Sequence, residues 1–138
     1  FSPPRAYNFV FSSSKVVGVE LLPLFRLSKL QDVGTGVDAC GSPMPVPGKL
    51  VPVIHTYTTS VAERDLLQKP VPGNCYKYDG IEGYVSPFPF WTNMEGLYRL
   101  YHQGDDHYML VPASKLGLAY SRGYSQGQVR LGYVVPVN

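Results

Sequence analysis

Three short segments recur in the same order along this chain, and a chain that repeats itself folds as copies of one supersecondary unit. Leu24-Phe25-Arg26-Leu27 is matched by Leu97-Tyr98-Arg99-Leu100, and His55 followed by Tyr57 is matched by His107 followed by Tyr108 and Met109. Gly83-Tyr84-Val85-Ser86-Pro87 is matched by Gly132-Tyr133-Val134-Val135-Pro136. The order implies two diverged copies of a strand, strand, helix, strand unit. They fall at roughly residues 21–87 and 94–138 of one 138-residue domain, with 1–20 supplying extra strands.

In the first copy, Leu22 to Leu27 alternates as a strand does, and Pro52 to Thr59 is a β-branched and aromatic run of strand type. The segment between them holds Gly34, Gly36, Gly41, Pro43, Pro45, Pro47 and Gly48, which suit an ordered surface loop. Ser60-Val61-Ala62-Glu63 reads as a capping box. Ser60 would accept from the Glu63 amide while the Glu63 carboxylate reaches back to the Ser60 amide. The helix it opens stops at Pro70 and Pro72. In the second copy, a hairpin loop His102-Gln103-Gly104-Asp105-Asp106 joins strands Leu97 to Tyr101 and His107 to Val111. Pro112 suits a helix first turn, Gly123 a helix C-terminus, and Val129 to Val135 a last strand. Helices this short must bury an apolar face on something, and the sheet is the available surface. The expected fold class is therefore α+β: an antiparallel β-sheet with two short helices packed on it, αβα-sandwich-like.

The charge of +2 comes from 12 basic and 10 acidic residues scattered singly, which disfavours nucleic acid as a partner. No apolar run approaches the roughly 20 residues of a spanning helix, so membrane insertion is not expected. Cys40 and Cys75 are the only thiols, and an even count in a small Tyr- and Pro-rich chain fits a disulfide and an oxidising compartment. Two buried free thiols, or bridges between chains that would make a homodimer, are the alternatives. A start at Phe1 with no basic, apolar leader is what a secreted product looks like after processing. Two cysteines without a Cys-x-x-Cys give no zinc site, and no phosphate loop or calcium loop occurs, so no metal and no cofactor is expected.

The units resemble a secreted tandem-repeat family of unknown function, found in bacterial and fungal proteins and often appended to hydrolases. Its repeat runs Pro-Leu-Tyr-Arg-Leu-Tyr-Asn, then Gly-Asp-His-Phe-Tyr-Thr-Thr-Ser-Ala-Ala-Glu-Arg-Asp, then Gly-Ile-Ala-Gly-Tyr-Val. The matching residues are Pro23 to Leu27, His55 to Asp65 and Gly80 to Val85, with Leu97 to Tyr101 and Gly104 to Tyr108 in the second unit. The resemblance implies an extracellular module that attaches to cell-wall or surface glycans, similar in kind to small mushroom lectins.

Sugar sites combine an apolar surface for the C–H face of the ring with planar polar groups for its hydroxyls. The richest supply is Trp91 and Asn93 together with Tyr101, His102, Asp105, Asp106 and His107, the expected carbohydrate-binding residues. The expected partners are glycans or glycoproteins, in a fungal or defence setting, with no catalysis. The alternatives are a defence protein acting on another protein, or a small secreted ribonuclease-like enzyme using Glu63, Arg99, His55 and His107. A triad of His107, Asp106 and Ser114 can be written down, but no Gly-x-Ser-x-Gly accompanies it.

Overall fold

The structure, a computed structural model, describes residues 10–32, 37–38, 40, 53–71, 74–102 and 107–135. A hairpin of β1 (Lys15–Val16) and β2 (Val19–Glu20) opens it. Next come β3 (Leu22–Asp32), β4 (Val37–Asp38), β5 (Val53–Thr58), α1 (Val61–Leu67) and β6 (Lys77–Val85). Then follow β7 (Glu95–His102), β8 (His107–Pro112), a 3-10 turn Ala113–Lys115, α2 (Leu116–Ser121) and β9 (Gln126–Val134). All pairing is antiparallel. β3 runs between β5 and β6, with β4 on its far end at Gln31 and Asp32, and β7 runs between β8 and β9.

The expected α+β sandwich is overturned: 53% of the structure is strand and 16% helix, in three small antiparallel sheets. The apolar faces of the two larger sheets meet each other. Leu24, Tyr57 and Val85 of the first unit and Leu97, Leu110, Leu131 and Val134 of the second form one buried cluster. Each fully buried aliphatic side chain there contributes about 1.5–3 kcal/mol. No residue of α1 is buried, and Val61 and Leu66 on it face solvent. α2 buries only Ala119, against Leu100 and Val111 in a small satellite cluster. Seven and six residues are too few to cover a sheet once Pro70 and the 3-10 turn have limited them. Pro112 ends β8, and the Gly123 turn that closes α2 has φ +90°, where glycine is unstrained.

The two three-stranded units share register as well as order. Leu24 lies opposite Gly83 as Leu97 lies opposite Gly132, and both ladders shift immediately afterwards. Arg26 faces Tyr57 on β5, and Arg99 faces Leu110 on β8. By the same count His55, opposite Ser28, corresponds to Tyr108, opposite Tyr101, so His55 and His107 are one place out of step. The joint between units recurs too. Ser86 exchanges two backbone hydrogen bonds with Tyr133 (2.9 and 2.8 Å), and Phe11 exchanges two with Tyr84 (2.9 Å each). At each joint the chain passes over a glycine: a Cβ on Gly132 would stand 2.5 Å from Val85, and one on Gly83 would run into Val10. Of residues 1–20, expected to supply extra strands, 1–9 lie outside the described residues.

Cys40 and Cys75 form a disulfide with Cα atoms 5.8 Å apart. It ties the segment following β4 to the approach of β6. Cys75 holds φ +66°, a left-handed conformation at the turn where its amide donates to the Lys69 carbonyl.

Candidate functional site

The loop from β6 to β7 carries an exposed aromatic ledge. Phe88, Phe90 and Trp91 stand in series, with Phe90 4.9 Å from the Trp91 ring and 6.0 Å from Phe88. Phe11 packs beneath, 6.3 Å from Phe90 and 6.2 Å from Trp91. The ledge is stiff at both ends. The Ser86 hydroxyl accepts from the Phe88 amide (3.2 Å) and donates to the Phe88 carbonyl, and the Met94 amide donates to the Trp91 carbonyl (3.2 Å). Phe88 is 50% and Trp91 41% exposed, although apolar rings of this size are normally buried. Asn93, whose side-chain amide both donates and accepts, is exposed in the adjoining turn.

The other residues named from the sequence lie elsewhere. Tyr101 and His102 are at the far end of β7, beyond six residues of strand, roughly 20 Å from the ledge. Tyr101 packs against Tyr108 (4.8 Å). The His102 ring meets Tyr124 edge-on (5.0 Å) and fills the space beside Gly123, where a Cβ would approach within 2.5 Å. His107 pairs in register with His102. Asp105 and Asp106 lie outside the described residues. Trp91 and Asn93 therefore stand together in the turn before β7, whereas Tyr101 and His102 at the end of β7 and His107 at the start of β8 lie at the other end of that hairpin.

Glu63 and Arg99, named for acid–base work, do meet, but as a latch between the units. Arg99 Nη1 donates to the Tyr57 carbonyl (2.7 Å) and to Glu63 Oε1 (3.1 Å). The capping box is half made: Ser60 Oγ accepts from the Glu63 amide (3.0 Å), but the Ser60 amide turns to Thr58 Oγ1 (3.0 Å). That frees the Glu63 carboxylate for Arg99. Partial burial raises the Glu63 carboxyl, and hydrogen bonds from Thr58 and Arg99 with the guanidinium charge outweigh it, leaving it below the ordinary glutamate value. Ser114 hydrogen-bonds Glu95 through its amide and its hydroxyl (3.2 Å for the hydroxyl).

A second polar place is the Arg26 position of the first unit, whose partners sit on β6 more than fifty residues away in sequence. Arg26 Nε donates to Asp79 Oδ2 (3.3 Å), and Ser28 Oγ donates to Asp79 Oδ1 (3.0 Å). Glu82 is the extra residue of the β6 bulge, and its side chain is 1% exposed. Burial pushes its carboxyl above the ordinary glutamate value against the pull of Arg26. Among the described residues no group of three or more potential metal ligands occurs.

No curated protein and no solved structure matches the chain. Residues 52–134, which run from β5 to the end of β9 and include the ledge and the latch, match a family described as a domain of unknown function (DUF5648). With more than half of its 138 residues in that match, this chain belongs to the DUF5648 family.

Proposed function

We propose that this protein is a secreted lectin that recognises cell-surface or cell-wall glycans without catalysis. The observation that supports the reading is the ledge of Phe88, Phe90 and Trp91, rings packed in series at the surface, with Asn93 exposed in the adjoining turn. Aromatic faces take up the C–H faces of pyranose rings, and a neighbouring amide orients hydroxyls. A prepositioned ledge loses little rotamer freedom on binding, which favours a weakly binding ligand such as a sugar. The disulfide fits an extracellular setting.

A glycan array probed with the wild-type protein and with Trp91→Ala tests the reading. Binding to a defined set of glycans, reduced about tenfold or more by the substitution, is the expected result. A blank array, or one unchanged by Trp91→Ala, sinks it.

A further inference from the structure

We propose that the cavity between β8 and α2 binds a small aliphatic carboxylate, with its hydrocarbon tail against the strand and its charge met by Arg122 and Lys115. The proposal is independent of the lectin reading and shares no residue with the aromatic ledge. The cavity is about 160 Å³. Residues 109–112 of β8 form one wall, and Lys115, Leu118, Ala119 and Arg122 form the other. Apolar cavities of roughly 150 Å³ stay dry and admit a molecule the size of benzene. Leu118 on the second wall is 50% exposed, so the cavity reaches the surface there.

Comparison of the two units shows where the space comes from. Their helices end alike: the Tyr76 amide donates to the Leu67 carbonyl (2.8 Å), and the Tyr124 amide donates to the Ala119 carbonyl (3.0 Å). Leu67 and Ala119 are therefore equivalent, and each packs on the satellite cluster of its own sheet. Leu67 meets a cluster of Phe25, Leu27 and Tyr76, and Ala119 belongs to one of Leu100, Val111 and Tyr124. Leu27 and Leu100 stand three residues past the matched Leu24 and Leu97. The second unit thus carries a methyl where the first carries an isobutyl group. Such a shortening leaves a void wherever the surroundings are held in place, and β8 is held along its length by its ladder to β7.

The charged part of the wall has one sign. Lys115, Leu118, Ala119 and Arg122 recur at spacings of three and four, which sets all four on one side of the helix. Lys115 and Arg122 are exposed, and neither side chain forms an ion pair among the described residues. The Glu95 carboxylate, next to Lys115 in space, is taken up by the amide and hydroxyl of Ser114. Its charge makes the Lys115 end the less favourable one for an anion. Arg122 is the stronger candidate, because its planar fork donates to both oxygens of a carboxylate at once. The two cations stand roughly 10 Å apart along the helix, so a short chain lying between them contacts Leu118 and Ala119 along its length. An apolar cavity flanked by unpaired cations favours a tail that ends in a carboxylate over the same tail ending in an alcohol or an ammonium.

Hexanoate would be titrated into methyl-labelled protein and followed by NMR, beside 1-hexanol and hexylammonium, which carry the same tail, and N-acetylleucine amide, an uncharged peptide-like molecule. Saturable shifts of the Met109, Leu118 and Ala119 methyl signals are expected with hexanoate, at an affinity about threefold or more above that of hexanol, with hexylammonium weakest. Arg122→Gln should bring hexanoate down to the level of hexanol, and Lys115→Gln should weaken it less. Ala119→Leu, which installs the residue of the first unit, should abolish binding of both. Lys115 and Arg122 are exposed, so their variants decide the matter should Ala119→Leu fail to fold. Hexanoate should bind Trp91→Ala as it binds wild type. No saturable binding of hexanoate, hexanol or hexylammonium bound as tightly, or hexanoate affinity unchanged when Arg122→Gln and Lys115→Gln are combined overturns the proposal. N-acetylleucine amide bound in preference to hexanoate overturns it in favour of a peptide side chain. Hexanoate binding lost in Trp91→Ala and kept in Ala119→Leu overturns it too, and moves the ligand to the ledge.

Discussion

Glu82 and Leu131 occupy the same bulge position in the two units, so one fold buries a carboxylate where it elsewhere buries an isobutyl group. Glu82→Leu is expected to stabilise the protein at pH 7 by about 1–3 kcal/mol in urea unfolding, since it removes a carboxylate with no donor. Arg26 on β3 and Asp79 on β6 are the charges beside it. Because the native carboxyl is raised above 4.5, the unfolded chain ionises first as pH climbs past that value, and the native state then bears the penalty. Below the ordinary value both states are protonated. The advantage of Glu82→Gln over wild type should therefore shrink towards zero near pH 4; a gain independent of pH would contradict this account.

Arg99→Ala should cost about 2–3 kcal/mol, because it leaves the Tyr57 carbonyl and the Glu63 carboxylate without their charged donor. The carboxyl of Glu63 is lowered in the native state, so its contribution is present above 4.5 and lost as pH falls through the native value. Acid titration of unfolding in wild type and Glu63→Gln should show the two curves converging at low pH.

Reducing the disulfide should lower stability by about 4 kcal/mol in the chain-entropy account, given 35 residues of separation. Unfolding midpoints with and without reductant, and in Cys40→Ser with Cys75→Ser, measure it. Mobility on gels should not change with protein concentration, since the bridge is within the chain.

Gly132→Ala places a methyl against Val85 and the Ser86 carbonyl (2.5 and 2.9 Å), and should cost about 1–3 kcal/mol. Gly117→Ala meets nothing within 4 Å and lies in α2, so it should gain up to about 1 kcal/mol. Thermal melts of the pair separate close approach from a general intolerance of alanine.

Strand positions were legible in the sequence because alternation and β-branched runs report one buried face, as in Leu22 to Leu27 and Val129 to Val135. What covers that face was not. Leu24, Leu97 and Leu131 announce burial without naming a partner, and the opposite sheet, not the helices, covers them. The ledge was half legible: Trp91 and Asn93 adjoin, but the length of β7 separates them from Tyr101 and His102. The buried Glu82 carboxyl left a usable signal. Aligning Gly83-Tyr84-Val85 with Gly132-Tyr133-Val134 sets Glu82 against Leu131, a charge facing a leucine in otherwise matched frames.

The bridges Phe11–Tyr84 and Ser86–Tyr133 are one joint used twice. In each, a residue just before or after a unit's strands exchanges two backbone hydrogen bonds with the tyrosine that follows a glycine on the last strand of a unit. A linkage of that kind is modular: what each step inherits is the seam, two backbone hydrogen bonds over a bare glycine, and what each step is free to vary is the residue at the bulge behind it. Specialisation can then proceed one unit at a time, with the scaffold indifferent to whether that residue is a leucine or a glutamate.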